Sequence, residues 1–154
     1  MDVMYYFTVM QCLGPSFDGF AYLPAMETRG GILLAWDSTV ITVDNITLND
    51  NFLTGMVRTK VGDPWWITVV YGPQGDEQKT LFLDDLRTTR LGRPGPWLLL
   101  GDFNMILRAS DKSNNNINRR MMTRFRDFVD DQELKEMYMH GRRYTWSNER
   151  DAPT

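Results

Sequence analysis

Gly101-Asp102-Phe103-Asn104 is the stretch of this sequence best suited to chemistry. It follows Pro96-Trp97-Leu98-Leu99-Leu100, a short run apolar on both faces, as expected of a central strand in a covered sheet. A strand end is a rigid support, and residues two apart on extended backbone point the same way. That places the Asp102 carboxylate and the Asn104 amide on one side. A carboxylate can hold or deprotonate a water, while an amide can donate to a phosphate oxygen and accept from that water. The same two residue types also build Asx turns, in which they satisfy backbone groups instead. The tetrapeptide by itself leaves both readings open.

Few other residues compete for a chemical role. His140 is the sole histidine and reads as a surface or turn residue. With Cys12 as the single cysteine, an internal disulfide or a cysteine-built zinc site is excluded. Arg119, Arg120, Arg124, Arg126, Arg142 and Arg143 suggest a phosphate-facing patch. Asp127, Asp130, Asp131, Glu133 and Glu136 lie among them, which favours a mixed solvated surface. Trp65, Trp66, Trp97 and Trp146 sit in strand-like runs, where core packing is the expected use and base stacking the alternative. Asp44, Asp63 and Asp76 stand near turn residues and receive no chemical role.

The elements that position these groups follow from pattern. Residues 1–28 show no lasting period and are punctuated by Gly14-Pro15, Gly19 and Pro24. Gly30-Gly31 opens a strand over Ile32–Trp36 that turns at Asp37-Ser38. Further strands are expected at Val40–Val43 and Phe52–Val61, the second alternating Phe52, Thr54, Met56 and Arg58 against Leu53, Val57 and Val61. Trp65–Tyr71 is almost wholly aromatic or β-branched, the strongest strand signal in the chain. Residues 77–90 read as a helix with Leu81, Phe82 and Leu86 inward, stopped by Gly92 and Pro94. After a polar loop at Ser110–Asn116, Met122, Phe125 and Val129 recur at helical spacing, widened by Met121 and Phe128 and ended by Asp130-Asp131. A short turn is expected at Leu134–Met137 and a last strand at Tyr144–Ser147.

The 154 residues suffice for a single domain, and strands with interspersed helices imply a layered α/β (α+β) arrangement. Five Trp and eight Phe argue against disorder. A net charge of −3 gives no bulk attraction for nucleic acid, so any such contact has to come from local clustering. No secretory leader, membrane span, repeat or low-complexity linker is evident.

Four pieces, Arg29-Gly30-Gly31-Ile32, Val70-Tyr71-Gly72-Pro73, Leu100-Gly101-Asp102-Phe103-Asn104 and Tyr144-Thr145-Trp146-Ser147-Asn148, occur in an order and at gaps that carry a resemblance. From residue 13 to residue 154 the chain resembles the endonuclease domain of plant LINE-type retrotransposons, within the endonuclease/exonuclease/phosphatase superfamily; residues 1–12 diverge. The resemblance implies a four-layered α/β sandwich and cleavage of phosphodiesters or phosphomonoesters with Mg²⁺ or Mn²⁺. For the LINE branch the target is DNA, inside the cell and in the nucleus. Asp102 matches the residue that orients or activates the attacking water and is the candidate metal ligand. Asn104 matches the residue that steadies that water and the phosphate, and Tyr71 an aromatic hydroxyl near the phosphate. Two upstream strands, ending in an Asn and in a Gln-Glu-Thr-type motif, have no match here, nor does the closing Ser-Asp-His segment. Glu27 lies too close to Gly30 to replace the family's metal-binding Glu. The expectation is therefore a domain short at both ends and inactive alone; a nucleic-acid-binding remnant or a phosphatase of the same superfamily are the alternatives.

Overall fold

Sheet-forming residues dominate the first two thirds of the chain after a short N-terminal helix, and the two longer helices follow the strand at 65–71. The computed structural model describes residues 3–26, 29–112 and 116–137. In order these form α1 (Val3–Leu13), β1 (Gly19–Leu23), β2 (Ile32–Trp36), β3 (Ile41–Leu48), β4 (Phe52–Thr59), β5 (Trp65–Tyr71), α2 (Asp76–Arg90), β6 (Trp97–Asp102) and α3 (Arg119–Asp131). A single 3₁₀ turn at Ala109–Asp111 interrupts the loop before α3.

β1 and β2 form an antiparallel hairpin, and a second sheet has the order β3-β4-β5-β6. β3, β4 and β5 pair antiparallel, whereas β6 runs parallel to β5 because α2 carries the chain back between them. The two sheets pack face to face. Leu23 and Ile32 of the hairpin meet Leu53, Val69 and Tyr71, while Leu34 and Trp36 cover Val43, Val57 and Ile67. On the other side of the large sheet, Phe52 and Val70 meet Phe82, Leu83 and Leu86 of α2 and Phe125 and Phe128 of α3. Tyr6 of α1 lies 6.5 Å from Phe20, which in turn stacks on Tyr22 along the outer face of β1. The layers thus run α1, hairpin, large sheet, α2 with α3: an α/β sandwich.

Burial on both faces makes β4 the centre of the structure, with Phe52, Leu53, Thr54 and Val57 all inaccessible. Thr54 of β4 and Thr68 of β5, both buried, are reconciled with that burial by pairing across the sheet. The Thr54 and Thr68 hydroxyls are 2.8 Å apart, and the Trp97 indole N–H donates to Thr68 Oγ1 at 2.8 Å.

Several expectations are corrected. Residues 1–28 contain α1 and β1; α1 is apolar nearly all round, so it shows no single stripe at helical period. The strand begun near Val40 runs on to Leu48 through an irregularity at Asn45, whose φ is 51°. β4 stops at Thr59 and leaves Val61 exposed. On α2, Leu83 takes the inward place expected of Leu81, which is exposed. Among the described residues β6 pairs with β5 alone, and Leu100 is 40% exposed. Residues 134–137 contain neither helix nor strand. Glu27, His140 and the strand expected at 144–147 lie outside the described residues. Among the described residues no helix is long and apolar enough to cross a membrane.

Candidate active site

β5 and β6 are parallel and end together, with Tyr71 directly opposite Asp102. Residues opposite each other in a sheet face the same way. Both side chains therefore belong to the face turned toward the hairpin, at the carboxyl ends of two parallel strands. Open α/β sheets commonly take their ligands at such ends. Asp102 is exposed and Tyr71 half-buried.

The backbone between them is drawn tight. Gly72 N–H donates to Asp102 O at 2.6 Å, and a Cβ on Gly72 would lie 2.2 Å from the Phe103 carbonyl oxygen. Only glycine permits that approach. Gly101 has a φ of 125°, and a Cβ there would meet Val70 O at 2.1 Å. Phe103 turns inward and packs 5.1 Å from Phe125, which anchors the tetrapeptide on α3.

Asn104 departs from the extended geometry assumed from sequence. Its φ is 52°, a left-handed conformation that Asn tolerates better than most residues. Its backbone N–H donates to Asp102 Oδ1 at 2.8 Å, and its side-chain Nδ2 donates to Gly72 O at 2.6 Å. The Asx turn is thus present, and it serves the candidate site. It fixes one oxygen of Asp102 and leaves Oδ2 without a hydrogen bond among the described residues. The Asn104 amide holds the neighbouring strand end.

Two further segments reach this end. A Cβ on Gly30 would lie 2.9 Å from the Tyr71 ring, so the ring rests on a bare stretch of backbone just before β2. Arg29 donates to Pro24 O at 2.9 Å and to Asp50 O, tying the hairpin to the start of β4. Asn51, at that start, bonds Tyr71 twice: its carbonyl accepts from Tyr71 N at 2.8 Å, and its Nδ2 donates to Tyr71 O at 3.0 Å. Sequence reasoning missed Asn51, because Asn49-Asp50-Asn51 reads as an ordinary polar turn.

Residues 4–154 match the model of the Endonuclease/Exonuclease/phosphatase family. The chain belongs to that family. No curated protein matches it. Membership makes a nuclease- or phosphatase-type hydrolase the general expectation, and the family generally depends on a divalent metal. Among the described residues, however, no three His, Cys, Asp or Glu side chains converge. Within that set Asp102 offers one carboxylate oxygen without a hydrogen bond, and magnesium sites often combine one or two carboxylates with water and substrate phosphate.

The remaining charged and aromatic candidates separate by geometry. Arg124 donates to Thr80 Oγ1 and Arg126 to Leu107 O at 2.8 Å, so both hold secondary structure together. Arg119 and Arg120 are exposed, in the first turn of α3. Asn118 caps that helix through Met121 N–H at 3.0 Å and donates to Asp76 Oδ2 at 2.7 Å, which sets the starts of α2 and α3 side by side. Trp65 and Trp97 pack against the core, and Trp66 donates to Pro94 O beneath the Arg93 guanidinium. Trp146, Arg142 and Arg143 lie outside the described residues. Away from the site, Ser38 donates to Asp18 from its hydroxyl at 2.5 Å and from its N–H at 2.8 Å, which holds the Asp18 carboxyl below its ordinary range.

Proposed function

We propose that the Tyr71–Asp102 strand end is the phosphate-facing part of a DNA phosphodiesterase site of the plant LINE retrotransposon type, and that this chain alone does not turn it over. The observation that carries this reading is the register of β5 and β6. It sets a phenol and a singly tethered carboxylate side by side on an accessible strand end. In this reading the free oxygen of Asp102 orients a water, and the Tyr71 hydroxyl donates to a phosphate oxygen. A Mg²⁺ or Mn²⁺ ion bound with the substrate at Asp102 would neutralise phosphate charge and make bound water more acidic.

One of the two Asn104 amide hydrogens is committed to Gly72 O, and the other remains to donate to a phosphate oxygen. The inactive part of the proposal rests on the ligand set around Asp102: among the described residues no three His, Cys, Asp or Glu side chains converge. The second reading is a nucleic-acid-binding remnant that keeps the surface without the chemistry.

Two measurements test this. Purified chain is incubated with supercoiled plasmid and Mg²⁺ beside an Asp102→Ala control; the expected result is no nicking from either. Nicking that vanishes in the control overturns the inactivity. Separately, chain labelled with 3-fluorotyrosine is titrated with short duplex DNA, and the Tyr71 signal, assigned with Tyr71→Phe, is expected to move. A Tyr71 signal indifferent to saturating DNA sinks the phosphate-facing assignment.

A further inference from the structure

We infer that Asn51 is a positioning residue of this site, acting through Tyr71; the inference rests on the reading of Tyr71 given above. In a regular antiparallel ladder, residues paired as Asn51 and Tyr71 are would exchange two backbone bonds. Only one is backbone here, from Tyr71 N–H to Asn51 O. The Asn51 N–H turns away toward Asn49 Oδ1 at 3.4 Å, because the chain is leaving the sheet toward Asp50. The Asn51 side-chain amide supplies the missing donor to Tyr71 O.

The consequence is a complete accounting of the strand end. Tyr71 N–H and O are both held by Asn51, Gly72 N–H by Asp102 O, and Gly72 O by the Asn104 amide. Two side-chain amides thus replace ladder bonds that no neighbouring backbone is in place to make. With its own N–H and carbonyl held by Asn51, and the following Gly72 held from the β6 side, Tyr71 stays extended and in register with Asp102. Its ring is pinned against the Gly30 backbone. Without the Asn51 donor, Tyr71 O would face the departing chain unpaired, and the peptide that joins Tyr71 to Gly72 would be held on one side alone, by the Gly72 N–H bond to Asp102 O. The hydrogen bonds of Asn51 go to the Tyr71 backbone and to Asn49. Its effect on the site runs through the Tyr71 backbone.

The experiment uses the whole chain labelled with 3-fluorotyrosine. The sequence has six Tyr, so Tyr71→Phe again assigns the relevant signal. Asn51→Ala removes the donor, and Asn51→Asp removes it while keeping the side-chain shape, which guards against a single variant that fails to fold. The expected result in either folded variant is a shifted and broadened Tyr71 signal, with the other signals in place and the DNA-induced response of Tyr71 lost. A purely structural role would lower the melting temperature and leave the Tyr71 signal of the folded protein where it was; that outcome overturns the inference. The signal in the absence of DNA decides the role of Asn51 by itself. Failure of DNA to move Tyr71 in the parent chain counts against the proposed function alone.

Discussion

Replacement of Asn104 separates two effects that this residue combines. Asn104→Gly removes the amide that holds Gly72 O, a carbonyl on a buried residue. A buried acceptor left unpaired costs about 1–3 kcal/mol. The left-handed φ of 52° suits glycine, so the backbone of that variant is unstrained. Asn104→Ala removes the same bond and adds a Cβ that disfavours positive φ, for a further ~1 kcal/mol. The expected order of stability is parent, then Asn104→Gly, then Asn104→Ala. For a chain of this length each kcal/mol corresponds to a melting shift of about 2–4 °C. Urea unfolding of all three proteins provides the assay, with midpoints compared at constant slope. If Asn104→Ala equals or exceeds Asn104→Gly, the left-handed turn is refuted. If Asn104→Gly matches the parent, the bond to Gly72 carries no stability and the account of this corner fails.

Three more outcomes follow from the same structure. Asp18 has a carboxyl depressed by its bonds from Ser38, so its stabilisation is present above the ordinary value of 3.8 and fades as pH falls through the lower folded value. The gap in melting temperature between parent and Asp18→Asn should be present at pH 7 and close in strong acid; a gap that widens in acid refutes the sign. Arg119 and Arg120 begin α3 while Asp130 and Asp131 end it, against the helix dipole, whereas α2 has Asp76 and Glu77 first and Arg87 and Arg90 last. Arg119→Gln with Arg120→Gln should raise the melting temperature and, if these residues meet DNA phosphates, lower the salt slope of duplex binding by roughly 2, as seen by fluorescence anisotropy. A fall in melting temperature would show that they stabilise the helix instead. Gly72→Ala should destabilise severely, by ~2 kcal/mol or more, because the added carbon collides with the backbone oxygen of Phe103; circular dichroism melts check this, and a near-neutral result contradicts the close approach.

The parts of the fold legible in the sequence were those whose local preference agrees with their tertiary place. Residues 65–71 are β-branched or aromatic throughout and form β5 to the residue. In α3 the apolar residues recur at the helical period; Met121, Met122, Phe125 and Phe128 are buried and Val129 is half-buried against them. α1 escaped notice because an almost uniformly apolar helix has no periodic face to read. The apolar run Trp97–Leu100 likewise shows that neighbours cover a strand's faces and says nothing about its margins. At the candidate site, the types and order of Tyr71, Asp102 and Asn104 were readable, and so was the Asx-turn alternative. The left-handed backbone at Asn104 was not, nor was the bond from Asn51, since both arise from chain segments that meet only in the folded sheet.

The indole of Trp97 acts at a distance on the carboxylate five residues later. Side chains alternate along β6, so Trp97 faces α2 and α3 while Asp102 faces the hairpin. A slip of β6 by one residue would exchange the two faces. Trp97 would lose its bond to Thr68, and Asp102 would turn toward the layer occupied by Phe82, Phe103 and Phe125. Misalignment is therefore penalised at both ends of the strand, by an orphaned indole at one and a misplaced charge at the other. A residue at the far end of β6 thereby proofreads which way Asp102 points.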